Sequence, residues 1–257
     1  MRKATVNLRL PRRLVALEGT LQHAAPRVAA VEDEIAALRP LIRLGDVCLD
    51  VGAKHGAYAL MMAAATGVDG QVFAFEPGPA PRRVIRSGCR LLGAKHVTVV
   101  PKAVSDFNGS SELCVPKRRG LDVPGRSFVA AGTVGLGSNV EFRRHRTVLT
   151  DVVTLDKWSA QAGVQHVDVV KIDVEGAEGA VLGGAFDLFQ RSLPIVLVEL
   201  EDRHLARFGT TAREVMEILT ELGYQASVWV DDRWQPMTTP SLRYRNHLFQ
   251  HPDRLAA

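Results

Sequence analysis

From Val47 onward, short apolar runs alternate with amphipathic stretches of helical period, and few folds accommodate that rhythm. VCLDV, QVFAFE, HVTVVPKAV, VDVVKID and IVLVELE read as strands, nearly continuously apolar and mostly ending in an acid or a polar residue. Helical patterns separate them: GAYALMMAAATG, PAPRRVIRSGCRLLG, EGAEGAVLGGAFDLF and TTAREVMEILTELG. In the last of these, Thr211 and Glu214 are spaced as a capping box, with Gly223 as the stop. Strand alternating with helix gives a parallel sheet covered by helices on both faces. YQASVWV and RNHLFQ then read as a closing antiparallel hairpin.

Two regions depart from the rhythm. Residues 1–45 read as a helical extension: Val28, Val31, Ile35 and Leu38 share one face, and Pro26 and Pro40 divide it into pieces. Such a lead-in packs on the core of the 46–257 domain or on a second subunit, which makes a homodimer an expectation. Residues 114–150 are rich in Gly, Arg and Ser and have no helical period. They read as a loop or hairpin insertion, and long insertions in compact domains serve function, so a substrate-facing lid is expected there.

Charge limits the partners. The 32 Lys+Arg exceed the 28 Asp+Glu by only four, with no basic stripe interleaved with aromatics, so nucleic acid is not an expected partner. Arg143, Arg144 and Arg146 could face an acidic acceptor, or form a solvated basic surface. No apolar run is long enough to span a membrane, although the basic N-terminus could lie on an anionic surface. Cys48, Cys89 and Cys114 form no CxxC pair, which suits a reducing cytoplasm and argues against structural zinc.

The first strand runs into the turn D-V-G-A-K-H-G, residues 50–56. A dinucleotide fingerprint would be G-x-G-x-x-G, with backbone pressed against a pyrophosphate. Here Gly52 and Gly56 stand alone, and the carboxylate of Asp50 would repel a pyrophosphate while favouring a cation or an amino group. Glu76 ends the next strand, where a carboxylate accepts the hydroxyls of a ribose. A nucleoside with positive charge and no phosphates fits both acids, and S-adenosylmethionine has those properties.

Further along stands VDVVKIDVEGAEGAVLGGA. With D-V-G-A-x-x-G, F-E-P (residues 75–77), T-L-D (154–156), K-I-D-V-E-G-A-E (171–178) and the strand ending in Glu199, the chain resembles the FkbM-type methyltransferases. That resemblance implies a Rossmann-like, doubly wound, mostly parallel α/β sheet of seven strands, the last antiparallel. It also implies methyl transfer from S-adenosylmethionine, usually to a hydroxyl of a sugar, glycolipid headgroup or natural product. Carried over by position, Asp50, Gly52, Ala53 and Gly56 should line the methionine side, and Glu76 with Pro77 the ribose. Ser105 and Asp106 should meet adenine, although Asp106 reads equally as a turn residue before Asn108 and Gly109. The family usually has Asn at the position of Lys54, whose ammonium could pair with the cofactor carboxylate or disfavour the sulfonium.

An alcohol is a poor nucleophile, so a base or a metal is expected at the carboxyl ends of the strands. Asp173, Glu175, Lys171, Glu199 and His204 are the candidates, and Asp173 should also touch the cofactor. Glu175 alternatively caps a helix dipole, and Lys171 could simply neutralise the acids. Mg²⁺ is compatible with these carboxylates, but the spacing demands no metal. The alternatives are a nicotinamide-dependent oxidoreductase, which the acid before the turn opposes, and a non-catalytic cofactor-binding accessory protein.

Overall fold

The computed structural model describes residues 11, 13–14, 16, 32–135, 144–241 and 243–255. Pro26, Val28, Val31 and Arg143, and with them most of the helical extension, lie outside the described residues. The part that is described begins with helix α1 (Asp33–Leu38) and a 3₁₀ turn (Arg39–Leu41). Ile35, Leu38 and Ile42 are buried against Cys48, Tyr58 and Met62, so this stretch packs on the core. Trp234 Nε1 also donates to Ala37 O at 3.4 Å.

The core is one twisted sheet. Strand β1 (Val47–Val51) leads through helix α2 (Ala57–Thr66) to β2 (Gln71–Phe75), then through α3 (Pro79–Leu92) to β3 (Val97–Val100). A second, smaller sheet follows: β4 (Ala103–Val104), β5 (Gly109–Arg118), β6 (Leu121–Asp122), β7 (Phe128–Val129) and β8 (His145–Val153). The chain returns through α4 (Leu155–Ala162) to β9 (Val169–Ile172), helices α5 (Glu178–Gly183) and α6 (Phe186–Ser192), and β10 (Ile195–Glu199). It ends with α7 (Asp202–Leu205), α8 (Ala212–Glu221), β11 (Gln225–Val230), β12 (Arg233–Met237), β13 (Asn246–Gln250) and α9 (Pro252–Leu255).

The main sheet has eight strands in the order β12-β11-β13-β10-β9-β1-β2-β3. The β10, β9, β1, β2 and β3 contacts are parallel, and β13 is antiparallel to both β10 and β11. The expected mostly parallel sheet with an antiparallel final strand is present, with one strand beyond the expected seven. That strand is β12, which pairs on the outer edge of β11 and places Pro236 opposite Ser227. A proline has no N–H to give a ladder, so it is tolerated at an edge. Its presence in RWQPM also hides the strand from a reading of alternation.

Alternate residues of the central strands face opposite layers. Cys48, Val72, Val169 and Leu197 pack under α1, α2 and α3. Leu49, Val51, Val170, Ile172, Val196 and Val198 pack under α4, α5, α6 and α8. Helix α8 carries the expected capping box, with Thr211 and Glu214 bonded reciprocally, and Gly223 follows at φ +89°. The described flanks of the 114–150 stretch pair as the expected hairpin, in an antiparallel ladder from Gly109↔Val152 to Pro116↔His145. That ladder starts before residue 114, so these flanks are part of a second sheet. Among the described residues, no helix is long and apolar enough to cross a membrane.

Candidate active site

The carboxyl ends of β1, β2, β9 and β10 converge, and parallel register places Asp50 opposite Lys171. Asp50 is buried, and its Oδ2 accepts from Ala59 N in the first turn of α2 at 2.9 Å. Burial pushes its pKa up to about 7, against the opposing charge of Lys171. The glycine turn is pinned to β2 by Gly52 N and Ala53 N, both donating to Phe75 O. At Gly52, φ is +81° and an added Cβ would stand 2.0 Å from Asp173 O, so any side chain there would collide with the end of β9. Gly56 stands between His55 and Ala57, which line the cleft, and packs on Ile85, so that its lack of a side chain lets the start of α2 meet α3.

Glu76 is held by two backbone amides. Lys54 N donates to Oε2 at 2.9 Å, and Gly78 N donates to Oε1 at 2.6 Å. Its pKa rises to about 7 because burial outweighs those bonds. A carboxylate fixed this way retains lone pairs for two further donors, as a ribose diol requires.

Two cavities open at these strand ends. The first is narrow, about 40 Å³, and has Glu76, Pro77 and Val104 on one side. Pro124, Phe128 and Val129 of the second sheet form its roof. The segment expected to be a substrate lid therefore walls the side that holds Glu76. The second cavity, about 220 Å³, carries most of the charged side chains and is lined by Glu32, Asp50, Ala53, Tyr58, Lys171 and Asp173. Gly52, Lys54 and Asp173 line both. Ser105 and Asp106 face neither; with Phe107 and Phe208 they line a third cavity, which shares Ala177 with the first.

The acids after β9 form a compact cluster. Lys54 Nζ lies 2.8 Å from both Asp173 Oδ1 and Glu175 Oε1. Burial pulls the ammonium down, but Asp173, Glu175 and Glu199 outweigh it and hold its pKa above the ordinary lysine range. Burial likewise pushes Asp173 up, and Lys54 and Lys171 reverse that, holding it well below the usual carboxylate range. Glu199 is driven up to about 10 by burial and by the charge of Asp173, so it carries a proton at neutral pH. Lys171 is fully buried, donating to Asn246 Oδ1 at 3.0 Å and lying 4.0 Å from Asp173 Oδ2. It is part of the support beneath the cluster.

His204 Nδ1 stands 3.0 Å from Glu175 Oε2, and burial drops the imidazole pKa to about 4. His204 is only 4% exposed. Glu175, Glu199 and His204 bring metal-capable atoms within 4.8 Å of one another. Glu199, which ends β10, and His204 lie five residues apart, and Glu175 reaches them from the turn after β9.

Several participants escaped the sequence reading. Glu32 Oε2 accepts from Tyr58 Oη at 2.6 Å and from Asn246 Nδ2 at 3.2 Å, bringing the lead-in into the cleft. Glu178 Oε1 accepts from Val174 N and Gly176 N and so shapes the turn that carries Glu175. Arg207, fully buried, donates to Glu175 O at 3.1 Å and stacks 3.9 Å from the Phe128 ring, tying that turn to the cavity roof. K-I-D-V-E-G-A-E contains Glu178, but Glu32, Asn246 and Arg207 sit in segments without a motif.

An open parallel sheet with an antiparallel final strand, a ribose-type carboxylate ending β2 and an acid before a glycine turn define a class I S-adenosylmethionine-dependent methyltransferase. The buried acids and the tight Gly52 turn fit a phosphate-free nucleoside with a cationic tail. Residues 50–226 match the methyltransferase FkbM domain, more than half of the sequence, and the chain belongs to that family. The 2-O-methyltransferase NoeI of Sinorhizobium fredii (strain NBRC 101917 / NGR234) is 23% identical over 215 residues, 80% of this chain and 86% of that protein. The 31-O-demethyl-FK506 methyltransferase FkbM of Streptomyces tacrolimicus is 27% identical over 184 residues, 63% of this chain and 67% of that protein. The crystal structure of methyltransferase FkbM from Methylobacillus flagellatus KT shares the fold, with TM-score 0.50 and 16% identity. It is matched by 93% of this chain, which spans 59% of that chain's length. Methyl transfer from S-adenosylmethionine thus replaces the nicotinamide and accessory-protein alternatives.

Proposed function

We propose that this chain methylates a hydroxyl oxygen of a glycan, glycolipid headgroup or comparably hydroxylated small molecule, in a reducing compartment. The names of NoeI and of the Streptomyces FkbM place their methyl groups on oxygen. The three free cysteines accord with the compartment. The observation that carries the reading is the junction of the two cavities at Gly52, Lys54 and Asp173, with Glu76 fixed on one side and Asp50 on the other.

When bound, S-adenosylmethionine supplies an electrophilic methyl group on a cationic sulfur. Glu76 would accept the ribose hydroxyls, and Asp173, ionised throughout the physiological range, would lie beside the positive charge. The acceptor hydroxyl would give up its proton on taking the methyl group, which calls for a base. His204, uncharged at neutral pH with Nδ1 3.0 Å from Glu175 Oε2, is the group assigned to take that proton. Glu199, protonated, gives its hydrogen bond to Asp173 and so helps to keep that carboxylate ionised.

The test combines the full chain with methyl-labelled S-adenosylmethionine and a panel of hydroxylated glycans and glycolipids, read by mass spectrometry. Transfer of one methyl group that is lost in Asp173→Asn and strongly reduced in His204→Gln is expected. A folded protein that binds the donor and methylates only nitrogen would refute the hydroxyl assignment; one that binds no donor would refute the reading as a whole.

A further inference from the structure

The turn after β1 reaches the acid cluster through a residue whose main chain and side chain do different jobs. Lys54 N holds Glu76, and Lys54 Nζ holds Asp173 and Glu175, both at 2.8 Å. Its backbone is left-handed, at φ 49°, and so is that of Glu175, at φ 60°. Side chains rarely accept that conformation, and such residues gather at functional sites. A salt bridge joining two of them across a cleft is a built feature.

Its position gives it a role. The first cavity has the carboxylate and apolar walls of a nucleoside site, and the second has the charged side chains of an amino-acid site. The atom that joins a nucleoside to an amino-acid tail must lie where they meet, beside Lys54 and Asp173. Asp173 and Lys54 line both cavities and meet at 2.8 Å, and deeper in the second cavity Asp50 stands opposite Lys171, so each of these carboxylates faces one ammonium. The charges lining the junction pair off. A balanced junction does not distinguish a sulfonium from the neutral thioether left after transfer, whereas one with an excess carboxylate would.

We propose that Lys54 is the charge-setting residue of the donor site, cancelling the carboxylates beside the sulfur so that cationic donor and neutral product bind with similar strength. The inference rests on the cofactor assignment above and concerns positioning of charge, not a proton transfer. It makes product inhibition a property of one side chain.

Isothermal titration of the full chain with S-adenosylmethionine, S-adenosylhomocysteine and sinefungin, which carries an ammonium in place of the sulfonium, tests it without any acceptor. In the wild type the three dissociation constants should lie within about fivefold of one another. Lys54→Met and Lys54→Gln should shift the ratio by about tenfold toward both cationic ligands, because an uncompensated carboxylate then faces the sulfur. Lys54→Arg should leave the ratio as it is. Equal changes for all three ligands in both neutral variants would overturn the proposal and leave Lys54 a structural tie. A wild type that prefers S-adenosylmethionine by more than about tenfold would overturn it as well, even if both neutral variants failed to fold. Binding of none of the three by folded wild type would instead remove the cofactor assignment beneath it.

Discussion

Replacing Glu76 by glutamine separates the two demands on that side chain. The carboxyl accepts from Lys54 N at 2.9 Å and Gly78 N at 2.6 Å. An amide of the same shape keeps one acceptor and turns an NH₂ donor toward the other backbone N–H. One buried donor is then unsatisfied, which costs about 1–3 kcal/mol. Against this stands the cost of ionising a buried group: a rise from 4.5 to about 7 corresponds to roughly 3 kcal/mol once the carboxyl is fully charged. The sign follows from linkage. A carboxyl whose folded pKa is raised contributes stability below its unfolded value, and that contribution is lost as pH rises through about 7. Glu76→Gln should therefore unfold more easily than wild type near pH 5, by about 1–3 kcal/mol, and match or slightly exceed it near pH 8. Urea unfolding at the two pH values measures this. Donor binding should fall by at least about tenfold at pH 8, since the amide cannot accept two ribose hydroxyls as well. In the wild type, affinity should tighten as pH rises through about 7, and the variant should lose that dependence. An equal stability loss at both pH values, or donor affinity within twofold of wild type, would refute the reasoning.

Other perturbations probe neighbouring parts. Gly52→Ala places a Cβ 2.0 Å from Asp173 O at a φ of +81°, so it should destabilise by about 3 kcal/mol and abolish donor binding; a variant with native Tm and affinity would contradict the close approach. Tyr58→Phe removes the 2.6 Å bond to Glu32 and should cost about 1–2 kcal/mol by denaturant unfolding, with faster hydrogen exchange in α1. Thr211→Ala breaks the capping box of α8 and should cost about 1 kcal/mol while leaving donor affinity unchanged. A change in affinity there would mean that α8 is coupled to the cleft more tightly than its distance from Glu76 and Asp50 implies.

The parts of this molecule that were legible in its sequence are those whose physics is local. A strand buried on both faces must be almost wholly apolar, and β1, β2, β9 and β10 are written that way apart from Asp50, Gln71, Lys171 and Glu199. Thr211 and Glu214 satisfy backbone groups within one turn, so their pairing could be read from spacing alone. Helix α4 was missed although it has an N-cap in Thr154 and a left-handed stop in Gly163, because one buried face of eight residues is too short to show a period. The second sheet was missed for the opposite reason. Its long ladder pairs residues far apart in sequence, and its outer positions alternate between exposed and half-buried with no dense apolar face.

The same division runs through the cleft. Asp50, Glu76 and Asp173 end strands, and topology carries strand ends to one edge of the sheet, so their convergence follows once the strands are known. Glu32, Asn246 and Arg207 come from the lead-in, the last strand and the segment after β10, and only tertiary packing brings them to Lys171, to the Glu175 turn and to one another. Lys54 belongs to both groups. Its main chain sits inside a recognisable turn, yet the destination of its ammonium depends on Asp173 and Glu175, more than a hundred residues further along. A lysine in a glycine turn reads as a surface charge beside a cofactor. Only the left-handed backbone at both ends of the bridge turns it inward, and with it the charge balance of the site passes from the strand ends, which a motif describes, to a loop residue, which it does not.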